Sequence, residues 1–203
     1  MEQYAIDLLY DDLGSGLLPE DLDYEDIPEE HLNKIRLLLD SQDKYSVFQA
    51  AKLLTFWGDD FGFNKLEKLF YDKELKGFID HRLYGYDDTL QHVLRALVSF
   101  WTQKIERGQG LEAREKIFPY VVKIIENSNE QPFEIYSILG VIDEYGFNEY
   151  LPFIKKHLEK IIEHPEIHGW KIHDVIKLLL KVDPIFVESL LKRNNKKLAD
   201  YGL

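Results

Sequence analysis

The sequence predicts an all-α protein, read as stacked helical hairpins, and three observations carry that reading. From residue 29 onward, apolar residues recur at i, i+3, i+4 and i+7, the spacing that lines one face of a helix. No comparable stretch shows sustained period-two alternation of the kind a half-buried strand needs. The breaks between apolar stripes carry helix-end residues.

Taken in order, the stripes are Val47, Ala50, Ala51 and Leu54, extended by Trp57, then Leu90, Leu94, Leu97 and Trp101. Ile117, Tyr120, Val121 and Ile124 follow, then Ile135, Ile138, Leu139 and Ile142. The last sets are Leu151, Ile154, Leu158 and Ile161, and Ile172, Val175, Ile176 and Leu179. Between them, Gly58, Gly62, Gly146 and Gly169 stand where a turn residue would close a helix. Asp87, Asp88 and Thr89 precede a stripe and can cap its open N–H groups. Asp183-Pro184 reads as an N-cap followed by proline at the first helical position, where its missing N–H costs little.

The stripes fall into pairs. First helices are expected over about 29–40, 64–73, 112–126, 148–163 and 184–197, and second helices over about 44–57, 88–104, 132–144 and 170–181. Second helices then start at 44, 88, 132 and 170, spacings of 44, 44 and 38, in the range of stacked-hairpin repeats. Gly62-Phe63-Asn64 recurs as Gly146-Phe147-Asn148, and IFPYVVKII (117–125) as YLPFIKKHL (150–158), which puts Pro119 and Pro152 in matching places. Trp57 and Trp101 fall near the ends of successive second helices, and read as packing elements between hairpins. The expectation is four hairpins and a C-terminal helix over 29–203, preceded by an acidic segment over 1–28.

That segment dominates the charge. The chain carries 25 basic and 37 acidic residues, a net −12. Eleven of the acids lie in the first thirty residues, and every Lys and Arg lies beyond residue 33. The remainder is close to neutral. Such a front repels phosphate backbones and lipid headgroups and attracts basic surfaces. The N-terminus has no positively charged stretch followed by a cleavage site, so a cytoplasmic location is the default expectation. Cysteine is absent, which removes disulfides, thiolate nucleophiles and Cys-based zinc sites.

Apolar-Pro-apolar helix openings followed by apolar-small stripes resemble the HEAT-repeat superfamily. FQAAKLLTFWGDDFGFNKLEKLF (48–70) is similar to helical-repeat proteins that serve bacteria as immunity partners of polymorphic toxins. The resemblance implies a non-catalytic protein-binding scaffold that neutralises a toxin. The regular Asp and Arg of strong HEAT units are missing.

Candidate binding residues come from two segments. In LLPEDLDYEDIPEE (17–30), Asp21, Asp23, Tyr24, Glu25 and Asp26 mix carboxylates with apolar groups, which suits docking to a basic protein. The plain alternative is a solvated extension whose apolar residues pack on the first hairpin. An EF-hand is not expected, because no glycine stands at the sixth loop position and Leu32 occupies the twelfth. Residues 71–88 form the longest break between stripes, and Arg82, Tyr84 and Tyr86 at its tip are residue types that anchor interfaces. The alternative there is an ordinary loop holding a short helical turn.

His157, His164, His168 and His173 invite a metal reading, but Pro165 and Gly169 place the segment in a turn, so no metal and no cofactor are expected. The sequence holds no phosphate loop, nucleophile elbow or HExxH motif. A HEAT-like DNA glycosylase is the enzymatic alternative, and it needs a basic track that a −12 chain does not offer. A generic assembly scaffold is the third reading.

Overall fold

In a computed structural model of the chain, residues 3–203 are described. They form ten α-helices, with short 3-10 turns between them and no β-strand. The chain divides into two compact units, Met1–Tyr120 and Val121–Leu203.

The first unit is organised around one helix. Its elements are α1 (Gln3–Leu9), α2 (Glu29–Leu37), α3 (Lys44–Phe56), α4 (Asp60–Tyr71), α5 (Thr89–Glu106) and the first part of α6 (Gly110–Asn127). Every α3 residue from Ser46 to Phe56 is buried, because α1, α2, α4, α5 and the 3-10 turn at Pro19–Asp21 pack around it. A helix apolar on nearly all sides belongs in a core, and α3 is the core of this unit. Asp43 starts it, accepting hydrogen bonds from the Ser46 amide (3.0 Å) and hydroxyl (2.6 Å). Gly58 ends the following turn at φ +72°, a conformation that favours glycine.

The second unit is built the same way around α9 (Pro165–Val182). It packs against α7 (Tyr136–Tyr145), α8 (Leu151–Ile161), α10 (Pro184–Arg193) and a closing 3-10 turn, Leu198–Tyr201. Ile172, Val175, Ile176 and Leu179 are fully buried along α9. The Tyr201 hydroxyl donates to the Ile162 carbonyl at 2.7 Å and fixes the C-terminal turn.

Most expected helices are present within a few residues of their predicted ends, and Asp183-Pro184 caps α10 as read: the Asp183 carboxylate accepts from the Phe186 amide at 3.1 Å. Several details differ. A short helix, α1, precedes the first expected one. Helix α9 starts at Pro165, not near 170, because proline fits the first helical position. Pro165 and Gly169 therefore do not make a turn, and Gly169 lies inside the helix. Second helices start at Lys44, Thr89, Tyr136 and Pro165, spacings of 45, 47 and 29, so the even period does not extend to the last pair.

The sequence echoes are not structural equivalents. Pro119 lies in the interior of α6, where it removes one helical hydrogen bond, whereas Pro152 opens α8. Gly146 is a left-handed C-cap at φ +67°. Gly62 is inside α4, where the helix meets α3 at close range. A Cβ there would lie 2.4 Å from Leu54 Cβ, 2.7 Å from the Thr55 nitrogen and 2.9 Å from the Ala51 oxygen. Two of those atoms are backbone and cannot swing aside.

Gly62→Ala is therefore expected to destabilise the protein. Overpacking costs about 1–3 kcal/mol, more than the roughly 0.5–1 kcal/mol that alanine gains in a helix. A lowered urea midpoint checks this; an unchanged or raised midpoint would contradict the tight α3–α4 contact.

Candidate functional site

The acidic leader is held against the first unit by three kinds of contact. The Trp57 indole N–H, fully buried at the end of α3, donates to the Pro19 carbonyl at 2.7 Å. Lys52 Nζ, reaching out of α3, donates to Glu20 Oε1 at 2.6 Å. The Arg107 guanidinium lies 4.0 Å above the Tyr24 ring while it bonds the Trp57 carbonyl (3.0 Å) and the Gly58 carbonyl (3.4 Å). Arg36 adds a fourth tie. It pairs with Asp59, whose carboxylate caps α4 at the Phe61 (2.8 Å) and Gly62 (3.2 Å) amides, and it also bonds Tyr24.

Two four-residue turns, five positions apart, give the leader its sidedness. Pro19-Glu20-Asp21-Leu22 and Tyr24-Glu25-Asp26-Ile27 each make a 3-10 turn, closed by the Leu22 amide on Pro19 O (3.4 Å) and the Ile27 amide on Tyr24 O (3.2 Å). In both, the aliphatic residue that follows Glu-Asp is buried. Asp21, Asp23, Glu25 and Asp26 are exposed, and their side chains enter no hydrogen bond or ion pair among the described residues. Glu20 is not part of this outer set, because Lys52 takes it inward. Nor is Tyr24 a free side chain: it is half-buried beneath Arg107.

Residues 77–88 form a small hairpin, closed by an antiparallel bridge between Asp80 and Asp87, not a helical turn. The His81 amide donates to the Tyr86 carbonyl and the Gly85 amide to the His81 carbonyl, both at 2.8 Å. Phe78 stacks on Phe48 of α3 with ring centroids 4.5 Å apart. Thr89 Oγ1, at the start of α5, accepts from the Phe78 (3.0 Å) and Ile79 (3.1 Å) amides. At the tip, Tyr84 and Tyr86 both stack on His81, with centroids at 5.0 and 4.6 Å. Arg82 and Tyr84 are exposed, Tyr84 to 72 %, and Tyr86 is half-buried.

The two sets of candidate residues do not converge. The hairpin is fixed to α5 at Thr89, and Tyr24 to Arg107, the residue that ends α5. At 1.5 Å per residue those anchors are about 27 Å apart. Such a separation suits two contact points on one macromolecule and excludes a shared small-molecule pocket.

Sequence reasoning passed over the α3 residues that hold the leader. In FQAAKLLTFW the polar residues Gln49, Lys52 and Thr55 recur every three positions, which puts them on one side of an otherwise apolar helix. That stripe was readable, and so was the repeated Glu-Asp-aliphatic spacing.

In the second unit His157 and His168 are buried, whereas His164 is exposed. His157 Nδ1 lies 2.6 Å from Asn129 Oδ1, and its Nε2 is buried without a partner. Lys171, also buried, donates to the Ser128 (2.7 Å) and Gln131 (2.5 Å) carbonyls and so pins the turn after α6. Burial, reinforced by the Lys171 charge, pushes His157 from 6.5 down to about 3 and His168 down to about 4. Among the described residues no three or more His, Asp or Glu side chains are placed to hold a metal ion. No helix among them is long and apolar enough to cross a membrane. Compared with known families, curated proteins and solved structures, the chain matches none.

The two histidines predict acid sensitivity. Folded, both rings stay neutral until the pH is near 4 or below; unfolded, they take up protons near 6.5. As pH falls below 6.5 the unfolded chain binds more protons, so stability declines from 6.5 toward 4. For His157 alone the loss at pH 5 is about 2 kcal/mol. Urea unfolding at neutral and mildly acidic pH checks this. The midpoint should fall on acidification, and fall less in His157→Gln.

Proposed function

We propose that the protein is a non-catalytic binder of a basic protein surface, and specifically an immunity protein that occludes a basic toxin domain. The observation that carries this reading is the sidedness of the leader. Asp21, Asp23, Glu25 and Asp26 face solvent without partners, on backbone held by Trp57, Lys52 and Arg107. A carboxylate row on anchored backbone loses little conformational freedom on binding, so more of the attraction is available as affinity. Charge of one sign also steers encounter with a cationic partner. The hairpin tip, with Arg82 and Tyr84 exposed, supplies a second contact of the type that anchors interfaces. Resemblance of residues 48–70 to immunity proteins supplies the toxin.

The experiment is protection of cells by co-expression with a toxin encoded beside this gene, together with complex formation in vitro. Protection and a complex are expected. Replacing the four carboxylates by Asn and Gln should slow association by at least about tenfold at low salt, and raising the salt should slow the unmodified protein similarly. Absence of both protection and complex, or an association rate indifferent to the four replacements, would contradict the proposal.

A further inference from the structure

The inner side of the leader lines a half-open cavity of about 150 Å3 in the first unit. A cavity of that size accommodates a benzene-sized ring. Leu9, Leu18 and Leu53 give it apolar walls, and Tyr10, whose hydroxyl is engaged with Tyr45, gives it an aromatic one. Its polar end is formed by the Lys52–Glu20 ion pair and by Gln49.

Gln49 is the unusual member. It is only 7 % exposed, it lines the cavity, and its carboxamide makes no hydrogen bond to the protein among the described residues. The carboxamide atoms are not among the fully buried polar atoms, so they reach the solvent-filled space and are free to pair with a molecule that enters it. We propose that the cavity is a binding site for a small, uncharged, planar molecule presenting a carboxamide or lactam edge to Gln49.

The chemistry follows from the walls. A glutamine side chain offers both donor and acceptor, and the edge that answers both at once is another amide. Lys52 and Glu20 already satisfy one another, so a charged ligand would leave one of the three charges without a counterpart at a largely buried site. Leucines on either side suit the faces of a ring. The site uses the leader's inner side, whereas partner binding uses the carboxylates on its outer side, so each can fail without the other.

The test is ligand-observed NMR and nitrogen-15 spectra of the full chain with benzamide, compared with toluene and benzoate. Benzamide should bind saturably with a dissociation constant below about 1 mM, and should shift the Gln49 side-chain amide signals. Gln49→Met should weaken benzamide at least about tenfold, the loss of roughly one well-placed hydrogen-bond pair, while toluene binding is unchanged. Leu18→Trp, which changes an exposed wall and leaves α3 intact, should fill the space and abolish binding, so the test stands even where Gln49→Met does not fold. No saturable benzamide binding, equal binding to either variant, or benzoate binding as tightly as benzamide would overturn the proposal.

Discussion

Helix α3 is buried on every side, yet it carries Gln49, Lys52 and Thr55. Much of the first unit follows from that constraint. Thr55 satisfies itself by donating to the Ala51 carbonyl one turn back, at 2.7 Å. Lys52 has no such local option, and a buried ammonium without a counter-ion is strongly destabilising. Glu20 supplies the counter-ion from outside the helical array. The leader is thereby part of the core's completion. Detaching it from α3 would expose Leu22, Ile27 and the Trp57 indole and leave the Lys52 charge without its counter-ion.

The same arrangement explains how one segment can be both structural and interactive. Of each Glu-Asp-aliphatic turn, the aliphatic residue goes to the core and the aspartate to solvent. Glu20 and Tyr24 are drawn inward by Lys52 and Arg107. What stays outside is a row of carboxylates on backbone that the core holds still. Charge alone would give a leader that any basic surface attracts; anchoring gives it a fixed shape as well. The cavity under Leu18 arises from the same docking, since the leader forms one of its walls.

Nine of the ten helices and most of their ends were legible because apolar periodicity is a property of each segment by itself. The departures arise where a residue's role depends on what lies across from it. Gly62 reads as a helix terminator in isolation, but its purpose is to admit the backbone of α3 at a distance no Cβ tolerates. Pro165 reads as a turn beside Gly169, while the helix uses it as its first residue. At the candidate site the acidic run was plain in composition. Its division into inner and outer residues was not, because that division is imposed by Lys52, Trp57 and Arg107, which lie 25 or more residues further along. Tyr84 and Arg82 were correctly read as a loop tip, but nothing local to them reports how far they stand from the leader.

The central claim, that the leader folds as one with α3, is tested most directly by amide hydrogen exchange under increasing denaturant. If the account holds, the Leu22 and Ile27 amides and the Trp57 indole N–H lose protection together with the amides of α3, with the same free energy of opening. Leader amides that exchange as fast as those of an unfolded peptide, while α3 stays protected, would contradict it.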